Sequence, residues 1–263
     1  MTEAIPITLD FVGDWTRHLE RELLALGLAL PAGASQAEIQ LMYFNYFRRR
    51  VSPTTPRKVV RSSAFSCPTE VAPGLSALED KIRAGTDLTP HLSRFLTKIT
   101  YEDGLLNDWG IHHLHLGLSI ESDGFVSRTS SLLFARFDPE TAYLIDVREH
   151  GAWTEQSLVQ IIHSEWPETI KCYRLGSELT LPTPPTDEDV EILRRARVNT
   201  LLQMPDGTIY APIGGGMMSA GLSKHGGLAM QVIIARDRSM SALRRMEAFV
   251  RAKSTEFVAD LLR

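Results

Sequence analysis

The stretch DWGIHHLHLGLSI, residues 108–120, sets His112, His113 and His115 into four positions of an otherwise strand-like run, and His150 ends the nearby run YLIDVREH. Side chains alternate between the faces of a strand, so Ile111, His113 and His115 share one face and His112, Leu114 and Leu116 the other. Leu114 and Leu116 are expected to point at helices behind a sheet. That leaves His113 and His115 facing water or ligand, and makes His112 the most buried of the three. The same parity puts Asp146, Arg148 and His150 on one face of a second strand, with Arg136 in the strand before it. Imidazole can take and give a proton near neutrality, and guanidinium can grip a phosphate while keeping its charge. His113, His115, His150, Arg136 and Arg148 are therefore a candidate catalytic set for attack of a ribose 2′-hydroxyl on the adjacent phosphate, with no metal or cofactor required. Read differently, His113 and His115 form a His-x-His chelate to which His150 or Asp146 adds a third metal ligand. In a third reading they are half-buried strand residues hydrogen-bonded to backbone.

A second candidate feature is cationic. Arg48, Arg49, Arg50, Arg57, Lys58 and Arg61 follow one another with no acidic residue between them. They read either as a solvated helix end and loop or as a patch that guides a nucleic-acid backbone. The net charge of −4 means that nucleic acid must be met by such a local patch, not by the whole surface. Cys67 and Cys172 are the two cysteines. They are too few for a disulfide framework and fit a reducing cytoplasm. No signal-like segment opens the sequence and no long uncharged apolar run interrupts it, so neither secretion nor contact with a membrane is expected.

The elements that must position these residues read as an α+β fold, helices packed on an antiparallel sheet. Helical spacing runs over residues 14–28 and again from the N-cap candidate Ser35, and 74–98 reads as two short helices. Residues 132–137 and 142–147 form a hairpin around the turn DPET, and Thr154 is expected to cap a helix that Pro167 ends. The proline-rich residues 176–185 suggest a boundary between a first unit, 1–176, and a smaller α+β unit, 186–263. In the second unit a helix starts at Thr186 or Asp187, a Pro-Asp-Gly turn joins two short strands, GLAMQVIIA is a strand, and Ser239 opens a closing helix. The glycine-rich PIGGGMMSAGLSKHGG lacks the spacing of a phosphate-binding loop and is expected to need positive φ at Gly214 to Gly216. His163 reads as a satisfied histidine on an apolar helix face, and Lys224 and His225 could line a surface of the second unit.

The segments GTDLTPHLSRFLTK, LLNDWGIHHLHLG and LLFARFDPETAYLIDVREHGAW, over about residues 74–165, give helices, a histidine strand and a hairpin ending in His150. This order resembles the RelE/ParE-type, or microbial ribonuclease-like, toxin fold. The resemblance implies a bacterial toxin-antitoxin protein that cuts RNA with basic and imidazole side chains on the sheet. The matching positions are His113 or His115, Arg136, Arg148 and His150, and the implied partners are RNA and an antitoxin-like protein. The chain is longer and more acidic than most members, and ParE-like members keep the fold without ribonuclease activity, so function rests on the site. The leading expectation is a metal-independent ribonuclease. The alternatives are a non-catalytic interaction module and a His-x-His metal-dependent hydrolase.

Overall fold

The computed structural model describes residues 8–51, 55–218 and 228–261. Its fold is α+β. The central sheet contains β1 (Lys58–Arg61), β2 (His112–His115), β3 (Ser131–Phe137) and β4 (Thr141–Glu149) in the order β1-β4-β3-β2. β2, β3 and β4 are antiparallel neighbours, as expected, but β1 joins β4 in parallel, so the sheet is mixed. The parallel pair is made possible by a long crossover, which carries α3 (Ala72–Ala84), α4 (Gly104–Trp109) and the first two antiparallel strands. At the β3–β4 turn the Asp138 carboxylate accepts the backbone N–H groups of Glu140 and Thr141 at 2.8 and 2.6 Å, an Asx-type turn that fixes the register of the hairpin.

Strand alternation sorts the sheet into two cores. Leu114, Leu133, Ala135, Leu144 and Val147 face α1 (Phe11–Ala25), α2 (Gln36–Arg48) and α3, where Leu23, Tyr46, Leu75, Leu78 and Ile82 are buried. Ile111, Leu132, Phe134 and Ile145 face the other way, onto Trp109 of α4 and Leu158, Val159 and Ile162 of α5 (Ser157–Glu165). This second core also takes in Val190 of α6 (Asp187–Arg195) and Leu202, Met204, Tyr210 and Ile213. The elements on either side of residues 176–185 thus share buried apolar area. Leu202–Gln203 and Ile209–Tyr210 pair as the hairpin β5–β6 around the Pro-Asp-Gly turn, where Gly207 takes φ +87°. Met217–Met218 and Leu228–Ala229 pair as β7 and β8.

Capping chemistry sets several boundaries. Ser35 and Glu38 form a reciprocal capping box at the start of α2, and Thr186 and Asp189 another at α6. Three expectations need correction. After α3 stops at Gly85 (φ +67°), the segment continues as two short 3-10 turns, Thr89–His91 and Arg94–Thr97, because Pro90 lacks an N–H and Leu92 is extended. Thr154 lies in a 3-10 turn, Ala152–Thr154, and α5 begins three residues later. The expected strand GLAMQVIIA keeps only Leu228–Ala229 as β8: α7 (Met230–Leu261) starts at Met230, not at Ser239. Ala229, Val232 and Ile233 follow helical i, i+3, i+4 spacing and are buried with Leu41 of α2.

The glycine-rich loop docks on the end of α4. Gly214 N–H donates to Asp108 O at 2.7 Å and Gly216 N–H to Asn107 O at 2.9 Å. Positive φ occurs at Gly215 and Gly216, whereas Gly214 is required for closeness: a Cβ there would lie 2.4–2.5 Å from Leu106 O, Asn107 O and Gly110 N. Lys224 and His225 lie outside the described residues.

Candidate active site

β2 pairs with β3 so that His113 lies opposite Phe134 and His115 opposite Leu132, and Leu132 in turn faces Arg148 of β4. A bulge between Phe134 and Ala135 adds local twist, as bulges beside functional clefts commonly do. His150 leaves β4 with its N–H donating to Ser130 O at 2.7 Å. Gly151, at φ +120°, a conformation open to glycine, then turns the chain so that Trp153 folds back over the sheet. The Trp153 ring meets His113 edge-on at 4.6 Å and His150 edge-on at 5.0 Å between centroids. One tryptophan therefore ties the histidine of β2 to the histidine at the end of β4, as the parity of the two strands leads one to expect.

His113, His115 and His150 line one cleft of about 450 Å³ together with Arg128, Tyr101 and Trp153. Asp103 and Arg194 also reach it. The Nδ1 atoms of His113 and His115 are buried without a hydrogen-bond partner, and both residues line the cleft. Burial holds His113 below the usual imidazole range, opposed by Asp103, whose Oδ2 is 3.9 Å from its Nδ1. His115, 7% exposed, is pushed down to about 4 by burial and then by the nearby His113 and Arg128. His150 is exposed at the mouth. Arg128 is also exposed and forms no hydrogen bond or ion pair among the described residues.

His112 turns to the opposite face, where it packs edge-on against Phe137 at 5.5 Å. Both of its ring nitrogens are buried without partners, and burial pushes its pKa down to about 3. As a whole residue it is half-buried while His115 is buried, the reverse of the expected ranking. The two small turns at 89–97 press on this end of β2. His91, 1% exposed, contributes a contact that sequence reasoning missed: its Nδ1 lies 2.8 Å from His115 O and its Nε2 2.9 Å from Lys81 Nζ. With Nδ1–H donating to the carbonyl and Nε2 accepting from the ammonium, His91 anchors the backbone of His115. Its signal, a histidine after Pro90, is not distinctive. Arg128 lies three residues before β3 and has no periodicity to announce it.

The structure places the remaining expected site residues elsewhere. Arg148 is held by Asp146 at 3.0 Å, by Glu155 and by Ser157 Oγ at 2.6 Å. Its charge is matched before any substrate arrives. Arg136 is half-buried at the far end of the same face, donating to Trp109 O at 3.1 Å and Ile213 O at 3.3 Å. Within the basic run, Arg48 donates to Asn107 Oδ1, Leu106 O and Gly214 O at 2.6, 3.1 and 3.0 Å. Arg49, 5% exposed, donates to the carbonyls of Asn45, Phe95 and Lys98. Arg57, 8% exposed, donates to Asp138 O and Thr55 O. Arg50 pairs with Asp87 and Thr89, and Arg61 with Glu79. Of the six, Lys58 alone is exposed with no side-chain hydrogen bond or ion pair among the described residues. Arg48, Arg49 and Arg57 thus clamp helices and loops from within, and the run does not present six free cations to a phosphate backbone. Replacing Arg48 by Ala is expected to leave three acceptors stranded and to lower unfolding free energy by about 2–3 kcal/mol in urea titrations. RNA binding by that variant should keep its salt dependence.

His163 is hydrogen-bonded to Tyr210 Oη at 3.0 Å and Asp206 Oδ2 at 3.2 Å, the satisfied boundary histidine its helix face suggests. Among the described residues no three His, Cys, Asp or Glu side chains converge on a point a metal ion could occupy, and no helix is long and apolar enough to cross a membrane. Comparison with known proteins finds no family model, no curated protein and no solved structure that matches the chain.

Proposed function

We propose that the chain is a metal-independent ribonuclease of the RelE/ParE-like toxin type. The observation that carries this reading is the cleft itself, in which three imidazoles and an unpaired, exposed arginine meet beside aromatic walls. The order of elements supports it, with α3 and α4 leading into β2 and the β3–β4 hairpin ending at His150. Arg128 holds the non-bridging oxygens of a phosphodiester, replacing the role expected of Arg136 and Arg148. A neutral imidazole on β2 takes the 2′-hydroxyl proton, and the 2′-oxygen attacks the adjacent phosphorus. His150 gives a proton to the departing 5′-oxygen, so the products are a 2′,3′-cyclic phosphate and a 5′-hydroxyl. Trp153 and Tyr101 offer rings on which the flanking bases stack. An antitoxin-like protein covering the mouth is the partner this reading implies.

Incubating purified protein with RNA in excess chelator tests the reading directly. Cleavage with cyclic-phosphate ends is expected, and intact RNA would sink it. Arg128→Gln is expected to lower kcat/KM about tenfold or more, chiefly through KM if the arginine serves ground-state binding. A wild-type kcat/KM would remove Arg128 from the phosphate site.

A further inference from the structure

A second cavity of about 490 Å³ adjoins the cleft, and Tyr101, Gly104, Trp153 and Arg194 line both. Volumes of this size are in the range that encloses a small ligand or one monomer of a polymer. Arg195, Arg197 and Met217 border its far side. Two acidic residues also reach it: Glu191, which pairs with Arg195, and Glu102. We propose that this second cavity is a flanking subsite for single-stranded RNA, holding the phosphate and base of a nucleotide beside the one cleaved.

Three observations support the assignment. Trp153 and Tyr101 belong to both walls, so a strand whose scissile phosphate sits at the histidines can continue over these rings into the second cavity. Aromatic platforms joined to cations are how single strands are tracked without base-specific contacts. Arg194, with a side chain nine-tenths buried against Asp108 and stacked over Trp109, keeps Nη2 without a hydrogen bond. A buried guanidinium N–H lacking an acceptor is costly unless something supplies one, and the residue lines the wall common to both cavities.

The third observation is backbone geometry. Arg197 is the one non-glycine residue with positive φ among the described residues, at +59°. It occupies the position just beyond the end of α6, where the Val198 N–H donates to Leu193 O at 2.9 Å. Glycine fills that left-handed position without strain. An arginine there keeps a Cβ that the backbone disfavours, and its exposed side chain forms no hydrogen bond or ion pair among the described residues, although its charge is felt by the Glu102 carboxyl in the same lining. Strain held at a cavity rim is a mark of a side chain retained for what it contacts. A phosphate one step along the strand is the group that an unpaired guanidinium at the rim would hold.

The inference rests on the ribonuclease reading for the direction of the strand, but its test reads binding separately from cleavage. The probe is a fluorescein-labelled decamer of 2′-O-methyl RNA, which lacks the attacking hydroxyl and stays intact. Arg197→Gly is expected to weaken its binding about tenfold and to reduce the slope of log affinity against log salt by about 0.7, one phosphate contact on a single strand. The same variant should melt at an equal or higher temperature, since glycine relieves the strain. Arg197→Lys should restore most of the affinity. Glycine-variant affinity within twofold of wild type would overturn the subsite, even if the wild type cleaves a 2′-hydroxyl decamer. Arg197-dependent binding without cleavage of that decamer would keep the subsite and overturn the ribonuclease reading. No binding by the wild type would overturn both.

Discussion

His113→Ala and His150→Ala should each lower turnover on RNA by about 10²-fold or more, with the fold intact by circular dichroism. His115→Ala should cost much less, about tenfold or under. The two histidines of β2 differ because their surroundings do. A proton acceptor works best when its pKa lies near the working pH, and burial together with His113 and Arg128 pushes His115 down to about 4, making it a poor base. His113 is lowered by burial as well, but Asp103 at 3.9 Å pulls in the opposite direction. The pH profile follows with its signs. A base must be neutral, so the acidic limb belongs to His113 and should lie below the ordinary imidazole value of about 6.5. Asp103→Asn removes the charge that favours protonated His113 and should move that limb to lower pH still, which a merely structural role for Asp103 would not do. Cleavage that survives both the His113 and the His150 substitution would return these residues to a structural role and favour an interaction module.

The part of this arrangement legible in the sequence is the part governed by period-two alternation. His113 and His115 on one face, Leu114 and Leu116 on the other, and His150 brought round by the β3–β4 hairpin all follow from strand parity and a recognisable turn. Ser35 and Thr186 announce their helices because capping is local chemistry. What failed depends on partners that only the folded chain brings into contact. The charge of Arg148 is answered by Glu155 and Ser157 across a glycine turn. Arg48 is answered by the α4 carboxyl end and by Gly214. A run of cations looks solvated until the acceptors that bury it are known. The opening of α7 misleads for another reason: Val232, Ile233 and Ile234 have strand propensity, but burial against α2 outweighs it. Parallel pairing of β1 had no signal because its four residues, Lys58–Arg61, begin and end in cations.

Acidification from pH 7.5 to pH 5 should destabilise the folded chain by about 2 kcal/mol for each of His112 and His115, which burial holds neutral. In the unfolded chain such a group takes a proton near pH 6.5, whereas in the fold His115 waits until about 4 and His112 until about 3. Between those values the unfolded state binds more protons than the native state, so stability rises with pH across the window and is lost as pH falls through it. The contribution is fully present above about pH 6.5, and its loss is complete only below the folded values. His91 and His113, also lowered by burial, add with the same sign. Glu102, pushed up to about 7 by burial, titrates in the same window with the opposite sign and offsets about one such share, so urea midpoints measured at pH 7.5, 6 and 5 should fall by what the remaining histidines contribute. His112→Phe isolates one share of the effect. Neither ring nitrogen of His112 has a partner, and its ring already packs edge-on against Phe137. An apolar ring of similar shape removes both the unpaired polar atoms and the titration. The variant should be at least as stable as wild type at pH 7.5 and lose less on acidification, because the share of His112 is gone while those of the other titrating groups are unchanged. A variant slope equal to that of wild type would show that His112 takes up its proton as readily in the native state as in the unfolded chain, and the packing of β2 against Phe137 would have to be redrawn.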